Sequence, residues 1–459
     1  MGWLDVLETI DKKENANMIS TLTRRLWACT ARYRSTPTGT RSLTASTLAA
    51  ALVGMLGLGA ATDSQAVPAF ARQTGMACAA CHFQSYPAIN AFGRAFKSAG
   101  YTLIGAQEKV EGDDLSLPVV LNASLITKFR YQKTNGDDKT VATNTGELQF
   151  PDEAALLIGG RAGEHVGFVL ELATFGEANV DGGDGDGEFS LFGSFKMPIT
   201  YKVGGADLSF IPFTTDAGGA SYGFELLNTG AQRFQRVGED RSALMAQQYL
   251  GLGAGEAEGF AFVAANEMGF VNVSMWAPIH GSFAVKSLAP YVRAALTPSL
   301  GNWDTGLGFQ YYSGKAKEDD LSLVTGNVVE YKTKGWSIDG QMQGEVAGMP
   351  LGVYAAYGET PSDSFFNTSA SDRTAWSIHG QLGVLPGKAT VILGYRSADR
   401  GTATRDEDNA LTLGGTYQLA QNVQVQLNHV ERSGNRFDDP LPAGSSGDRQ
   451  TTLMLFSAF

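Results

Sequence analysis

From Leu117 to Tyr131 every second position is Leu, Val, Leu, Ala, Leu, Thr, Phe and Tyr in turn. Between them stand Asn122, Ser124, Lys128 and Arg130, with Gln132 continuing the polar series. A period of two over this length is a strand with one apolar and one polar face, long enough for a tilted membrane crossing. The pattern recurs at 147–161, 165–175, 188–201, 206–214, 257–265, 270–277, 286–297, 302–313, 334–346, 351–359, 373–384, 389–398, 409–419, 423–432 and 450–459. That makes sixteen segments, an even number, with alternation weakest over 215–256.

The links between segments carry a second pattern. Short links at 162–164, 202–205, 266–269, 299–301, 347–350, 385–388 and 420–422 alternate with long polar loops at 132–146, 176–187, 215–256, 314–333, 360–372, 399–408 and 433–449. The link at 278–285 is of middling length. Outer-membrane barrels alternate tight periplasmic turns with extended outer loops, and a soluble sandwich has no reason to. The chain also ends on an aromatic residue, Phe459. The expected fold is therefore all-β: over residues 116–459, a transmembrane antiparallel β-barrel of about sixteen strands, embedded in outer-membrane lipid. Parity puts the segment before the barrel and the C-terminus on the periplasmic side.

Composition agrees and excludes other classes. Glycine numbers 56 of 459 residues, charged residues are 18%, and the formal net charge is −12. A general nucleic-acid binder needs a basic stripe, so no nucleic-acid partner is expected. The apolar run Leu43–Ala61, preceded by Arg24, Arg25, Arg32, Arg34 and Arg41 and followed by Ser64-Gln65-Ala66, reads as a signal peptide spanning 1–66. The acidic residues before Met18 suit an upstream mis-assigned start. Removing 1–66 leaves 28 basic and 42 acidic residues, a net −14, and two cysteines.

Those two are Cys78 and Cys81, with His82 next in sequence. Two thiols at this spacing can form thioethers to both vinyls of one haem, and the adjacent imidazole becomes the proximal iron ligand. A zinc site would want two more Cys or His ligands, which residues 67–116 do not supply. A thioredoxin-type pair would want a βαβ setting. The reading is one covalent haem c in a small α-helical monohaem cytochrome module at 67–115. Ile89, Phe92 and Phe96 recur at helical spacing and are expected to cover the porphyrin.

Between Phe83 and Ser116 there is neither His nor Met, and Met76 stands too close to the anchor to reach the opposite face easily. The sixth ligand is an unusual group, absent, or donated by the barrel. Strand parity turns His165, Glu171 and His379 toward the lumen, so His165 and His379 are sixth-ligand candidates. It puts Met275 and Met342 on the lipid side and gives His429 an interfacial place. The loop Asp181–Glu188, with Asp184 and Asp186, could offer four carboxylates to a hard cation, but it lacks the EF-hand spacing and a solvated surface loop is the preferred reading. With Asp406-Glu407-Asp408 and Asp438-Asp439 it forms an expected acidic outer rim that concentrates cations.

The segment Val67–His82, continued by Pro87, Asn90–Arg94, Phe96-Lys97 and Gly100-Tyr101, resembles the fused monohaem cytochrome–porin family, the outer-membrane cytochromes of iron-oxidising bacteria. The likeness covers roughly 35 residues; the barrel matches in architecture and length. It implies oxidation of extracellular Fe(II), with single electrons passed through the haem to a periplasmic carrier such as a soluble cytochrome. A diffusion porin with a haem plug or sensor, and a cytochrome–porin with another external redox partner, stay open. Under each reading, residues 67–115 are expected inside the barrel or across its periplasmic mouth.

Overall fold

The computed structural model describes residues 68–105, 107–113, 115–175, 192–238, 245–281, 285–319, 328–442 and 444–459. Two helices open it, α1 (Pro68–Thr74) and α2 (Ala91–Ser98), with a 3-10 turn at Cys78–Ala80 between them. Sixteen antiparallel strands then close on themselves. They are β1 (Ala123–Thr134), β2 (Glu147–Arg161), β3 (Gly167–Phe175), β4 (Phe192–Lys196 and Ile199–Val203, one strand broken at Met197-Pro198), β5 (Ala206–Thr215), β6 (Ala257–Asn266), β7 (Gly269–Ala277) and β8 (Ala289–Leu296, extended by Ser299–Leu300). The rest are β9 (Trp303–Tyr312), β10 (Gly335–Val346), β11 (Met349–Thr360), β12 (Arg373–Leu385), β13 (Ala389–Asp399), β14 (Asn409–Ala420), β15 (Val423–Ser433) and β16 (Arg449–Ala458). The seam is β16 on β1, in register from Gln450↔Thr134 to Ala458↔Ile126.

The wall is inverted relative to a soluble protein. On β1, Ser124, Lys128, Arg130, Gln132 and Thr134 are buried toward the lumen, while Leu125 and Tyr131 are exposed outside. Ile338, Met342, Trp376, Ile378, Leu393 and Leu413 continue the outer apolar surface. No helix among the described residues is long and apolar enough to span a bilayer; strands alone do it. Closure leaves no unpaired edge in hydrocarbon, which is why a sheet can cross at all. The architecture is that of an outer-membrane barrel.

One end carries tight turns. Gly204 and Gly205, both at positive φ, join β4 to β5; two such residues match the twist of a two-residue hairpin. The other end carries the loops, including a three-stranded ribbon of Val285–Ser287, Lys315–Asp319 and Val328–Lys332. Two boundaries differ from the sequence pattern. Leu115–Pro118 pairs with Lys109–Gly112 in a separate hairpin, so the first barrel strand begins at Ala123 rather than Leu117. The third begins at Gly167 rather than 165.

The largest difference is the connection from β5 to β6, which the pattern placed among the outer loops. It folds into the lumen. Tyr222, Phe224, Leu226, Leu227, Leu250 and Leu252 are buried against wall residues such as Phe213, Phe270, Tyr291 and Tyr312. Burying each Leu contributes about 1.5–3 kcal/mol, so the hydrophobic core lies inside the barrel. Arg293 of β8 pins this loop. Its Nε lies 2.7 Å from Glu225 Oε2 and its Nη1 2.6 Å from Asp339 Oδ2, all three side chains fully buried.

Candidate functional site

Helix α2 crosses directly over the Cys78–His82 turn, and Asn90 fixes the crossing. Its Oδ1 accepts from the Gly93 amide at 2.9 Å, capping the helix, while its Nδ2 donates to the carbonyls of Ala79 (3.2 Å) and Ala80 (3.1 Å). Gly93 is required there, because a Cβ would stand 2.2 Å from the Cys81 carbonyl oxygen. The Cys81 and His82 amides both bond back to the Cys78 carbonyl, at 3.1 and 2.9 Å. The result is one hydrogen-bonded turn that carries two thiols and an imidazole, with Cys78 buried beneath it.

The imidazole is oriented. Nδ1 of His82 lies 3.1 Å from the Ala88 carbonyl, so Nε2 is the ring nitrogen left for a metal. A ligand histidine held through its other nitrogen is the usual outer-shell arrangement at metal sites. Burial pushes the His82 pKa down to about 4, against the opposing pull of the Ala88 and Pro87 carbonyls; the ring is neutral at neutral pH, the form that binds metal. Burial also pushes the Cys78 thiol up to about 12, with Cys81 adding to the rise.

Cys81 and His82 open into a cavity of about 1490 Å³, mouth included. Its apolar lining is Phe70 of α1, Phe96 of α2, Tyr101, Tyr86 and Ile89. Phe70 stacks on Tyr101 at 5.1 Å between centroids and meets Phe96 edge-on at 5.2 Å. Ile89 and Phe96 line this cavity, whereas Phe92 is exposed and does not. The barrel supplies the opposite lining. Ile126, Lys128, Glu153 and Leu157 come from β1 and β2, Glu171 and Lys196 from β3 and β4, and Arg233 and Arg236 from the inward loop. Lys128 Nζ lies 2.5 Å from Glu153 Oε2; Lys196 Nζ donates to the Tyr222 carbonyl at 2.9 Å. Lys97 of α2 bonds to Gln235, and burial lowers its pKa to about 8.

The helical segment is tied to the barrel near the turn end. Arg94 forms a bidentate pair with Asp304 at 2.7 and 2.6 Å, Ser98 donates to Asp207 at 2.9 Å, and Gln84 donates to the Pro350 and Gln381 carbonyls at 3.0 Å. Gln73 donates to the Tyr101 and Leu103 carbonyls and accepts from the Arg161 amide. Tyr86 stacks on Phe456 of β16 at 5.3 Å.

The other residues singled out from the sequence fall elsewhere. His165 does not face the lumen: it sits in the turn before β3, stacked at 4.2 Å on Tyr201, an exposed residue of the outer wall. Parity failed because the strand begins at Gly167, two residues later. His379 faces inward and is buried, beside Gly394 and Tyr354, but does not line the cavity; His82 is the only imidazole that does. Glu171 lines it. Met275 and Met342 are exposed on the outer wall, and His429 bonds to Thr451 at 2.8 Å. Asp181, Asp184, Asp186 and Glu188 lie outside the described residues. Asp408 is no rim carboxylate: it is buried between Arg396, 2.6 Å away, and Arg436. Among the described residues no group of three His, Cys, Asp or Glu is placed to hold a metal ion.

Sequence reading missed the inward loop. Its signal was composition: Tyr222, Phe224, Phe234 and Tyr249, with Leu226, Leu227, Leu250 and Leu252, are costly to expose in a surface loop.

No protein-family model and no curated protein matches the chain. Among solved structures, outer-membrane-expressed OmpT of Vibrio cholerae is 11% identical over 77% of this chain and 100% of its own, with a TM-score of 0.43. An anion-selective porin from Comamonas acidovorans is 14% identical over 74% of this chain and 99% of its own, also at 0.43.

Proposed function

We propose that the chain is an outer-membrane cytochrome in which a barrel holds one covalent haem c in its lumen and joins an extracellular electron donor to a periplasmic carrier. One observation carries this reading. Cys81 and a pre-oriented His82 open together into a cavity lined on one side by aromatic rings and on the other by the charged side chains Lys128, Glu153, Glu171, Lys196, Arg233 and Arg236. Cys78 and Cys81 would hold the haem vinyl groups and His82 the iron. Phe70, Phe96 and Tyr101 are suited to cover the porphyrin, and Arg233, Arg236 and Lys97 to meet its two carboxylates. When bound, haem c supplies a reversible one-electron couple.

Fe(II) is the donor implied by the family resemblance. Each ferrous ion oxidised to ferric outside loses one electron, and an oxidised periplasmic carrier such as a soluble cytochrome gains it. The chain's part is to seat the redox group within a wall impermeable to ferric iron, exclude water from it with α1 and α2, and hold the His82 ring still. An open diffusion channel is disfavoured by the filling of the lumen with the helical segment and the Leu-rich inward loop.

Denaturing gels stained for haem peroxidase activity test the cofactor. The wild type should stain at full length, and the C78A/C81A variant should not. Purified protein should then show haem reduction on adding Fe(II), read at the α-band. An unstained wild type refutes the cytochrome; a stained protein inert to Fe(II) but reduced by another external donor refutes iron as the donor.

A further inference from the structure

A second cavity opens at the loop end of the barrel. It encloses about 1420 Å³, mouth included, and Arg396, Arg400, Arg405, Arg432 and Arg436 line it, with Asp408 the one carboxylate among its described lining. The five are scattered over forty positions in sequence. The fold gathers them because β13 and β15 end side by side across β14, and the segments that follow each contribute to the same cavity. Arg396 and Asp408 are buried, paired at 2.6 Å, and Arg436 shares that carboxylate. Tyr249 of the inward loop donates to Asp408 at 3.0 Å and lies under the Arg396 guanidinium, 4.1 Å from its ring centroid. Arg432 bonds to Gln450 at 2.9 Å; Arg405 braces the carbonyls of Arg436, Asp438 and Pro440.

Among its described lining residues, five guanidinium groups and one carboxylate share a single concave space, an arrangement matched to an anion that bridges several of them. The neutral groups around them suit the same ligand: Thr134, Thr143, Ser445 and Ser446 offer hydroxyls, Gln132 and Gln450 amides. Each guanidinium presents five N–H groups in a planar fork matched to a carboxylate or phosphate. Arg396 and Arg432 project into the lumen from wall strands, away from lipid, so the ligand is a soluble one.

The position matters as much as the charge. On β1, Lys128 lines the first cavity, and Gln132 and Thr134 line the second. All share one face of the strand. Four residues at about 3.4 Å each put the two cavities roughly 14 Å apart along it, with the buried Arg130–Asp152 pair, 2.8 Å, between them.

We propose that this arginine cavity is a binding site for small multivalent oxyanions of the carboxylate or phosphate class. Resting on the electron-transfer reading, it follows that iron arrives as an anionic carboxylate chelate, because five guanidinium groups repel the bare dication. This departs from the acidic rim expected from sequence, where Asp408 was counted as a surface charge.

Calorimetric titration of citrate into the full haem-loaded protein in detergent tests the site. One citrate per chain should bind, at least tenfold more weakly in R432Q/R436Q and at least threefold more weakly in R432Q, which is included in case the double variant fails to fold. Heat-modifiable gel mobility checks barrel closure, and K315Q, on the outer ribbon, should bind as wild type. Absent citrate binding, or equal binding by folded variants, overturns the proposal. In the same preparations, stopped-flow haem reduction should be faster with ferrous citrate than with ferrous ion in a non-coordinating buffer, and the variants should lose the difference. Equal rates in the wild type overturn the chelate claim. Citrate binding with no haem reduction by either form upholds the anion site and counts against the electron-transfer reading instead.

Discussion

Asn228 grips the Ile89 peptide as a neighbouring strand would: its Oδ1 accepts the Ile89 amide at 2.8 Å and its Nδ2 donates to the Ile89 carbonyl at 2.8 Å. The inward loop thereby holds the chain just ahead of α2 through both its polar backbone groups. Asn228→Ala strips the only described partner of the amide, while Gln343 still serves the carbonyl at 3.2 Å. The cost expected is about 1–3 kcal/mol. Hydrogen exchange should quicken over residues 88–98 and stay unchanged in β9–β12. Unaltered exchange at 88–98 would show that the clasp holds nothing.

Gly93→Ala is a sharper perturbation than its size suggests. The added carbon would meet the Cys81 carbonyl oxygen at 2.2 Å, and backbone on both sides must give. Overpacking of this kind costs about 1–3 kcal/mol, and here the strain falls on the turn that bears the thiols. Haem per folded barrel, measured by pyridine haemochrome, should fall at least twofold. Full haem content in the variant would contradict the tight crossing.

Arg293→Leu should destabilise the barrel strongly. It abandons Glu225 and Asp339 in a fully buried setting, and removing one partner of a buried ionic group costs about 3–5 kcal/mol. The triple replacement R293L/E225L/D339L should recover much of that loss, since no orphan charge is left. Urea unfolding followed by tryptophan fluorescence reads both, and a single variant as stable as wild type would refute the pinning role.

His379→Ala and His165→Ala, singly or together, should leave the visible haem spectrum unchanged, because neither side chain reaches the cavity that His82 lines. His82→Ala should alter it. A ligand-field change on losing His379 would mean that the cavity walls rearrange around the cofactor.

The barrel was legible because period-two alternation survives whenever one face meets lipid and the other a polar interior; Trp376 and Ile378 outside with His379 inside follow it residue by residue. The grouping of Cys78, Cys81 and His82 was legible because they fall within five residues of one another. Alternation is silent about irregular backbone, so the loop bearing Asn228, Arg233 and Arg236 passed for surface. It is equally silent just outside a strand, where His165 sits in the turn before β3 and no longer follows the alternation. Asp408 misled for another reason: the arginines that bury it lie on other strands, and no local pattern reports a charge that the fold neutralises.

The stacking of Tyr86 on Phe456 has a consequence for how the molecule is put together. Phe456, Met454, Ala458 and Ile126 form a buried cluster at the seam, with Tyr86 packed against it. β16 therefore finishes its inner surface on a residue that precedes every strand of the barrel. Seating the N-terminal segment and zipping β16 to β1 become one step, and under the proposed cytochrome reading a haem on the buried Cys78 would have to be attached before that step. Maturation would then run in a fixed order, with the plug serving as a template on which the cylinder closes.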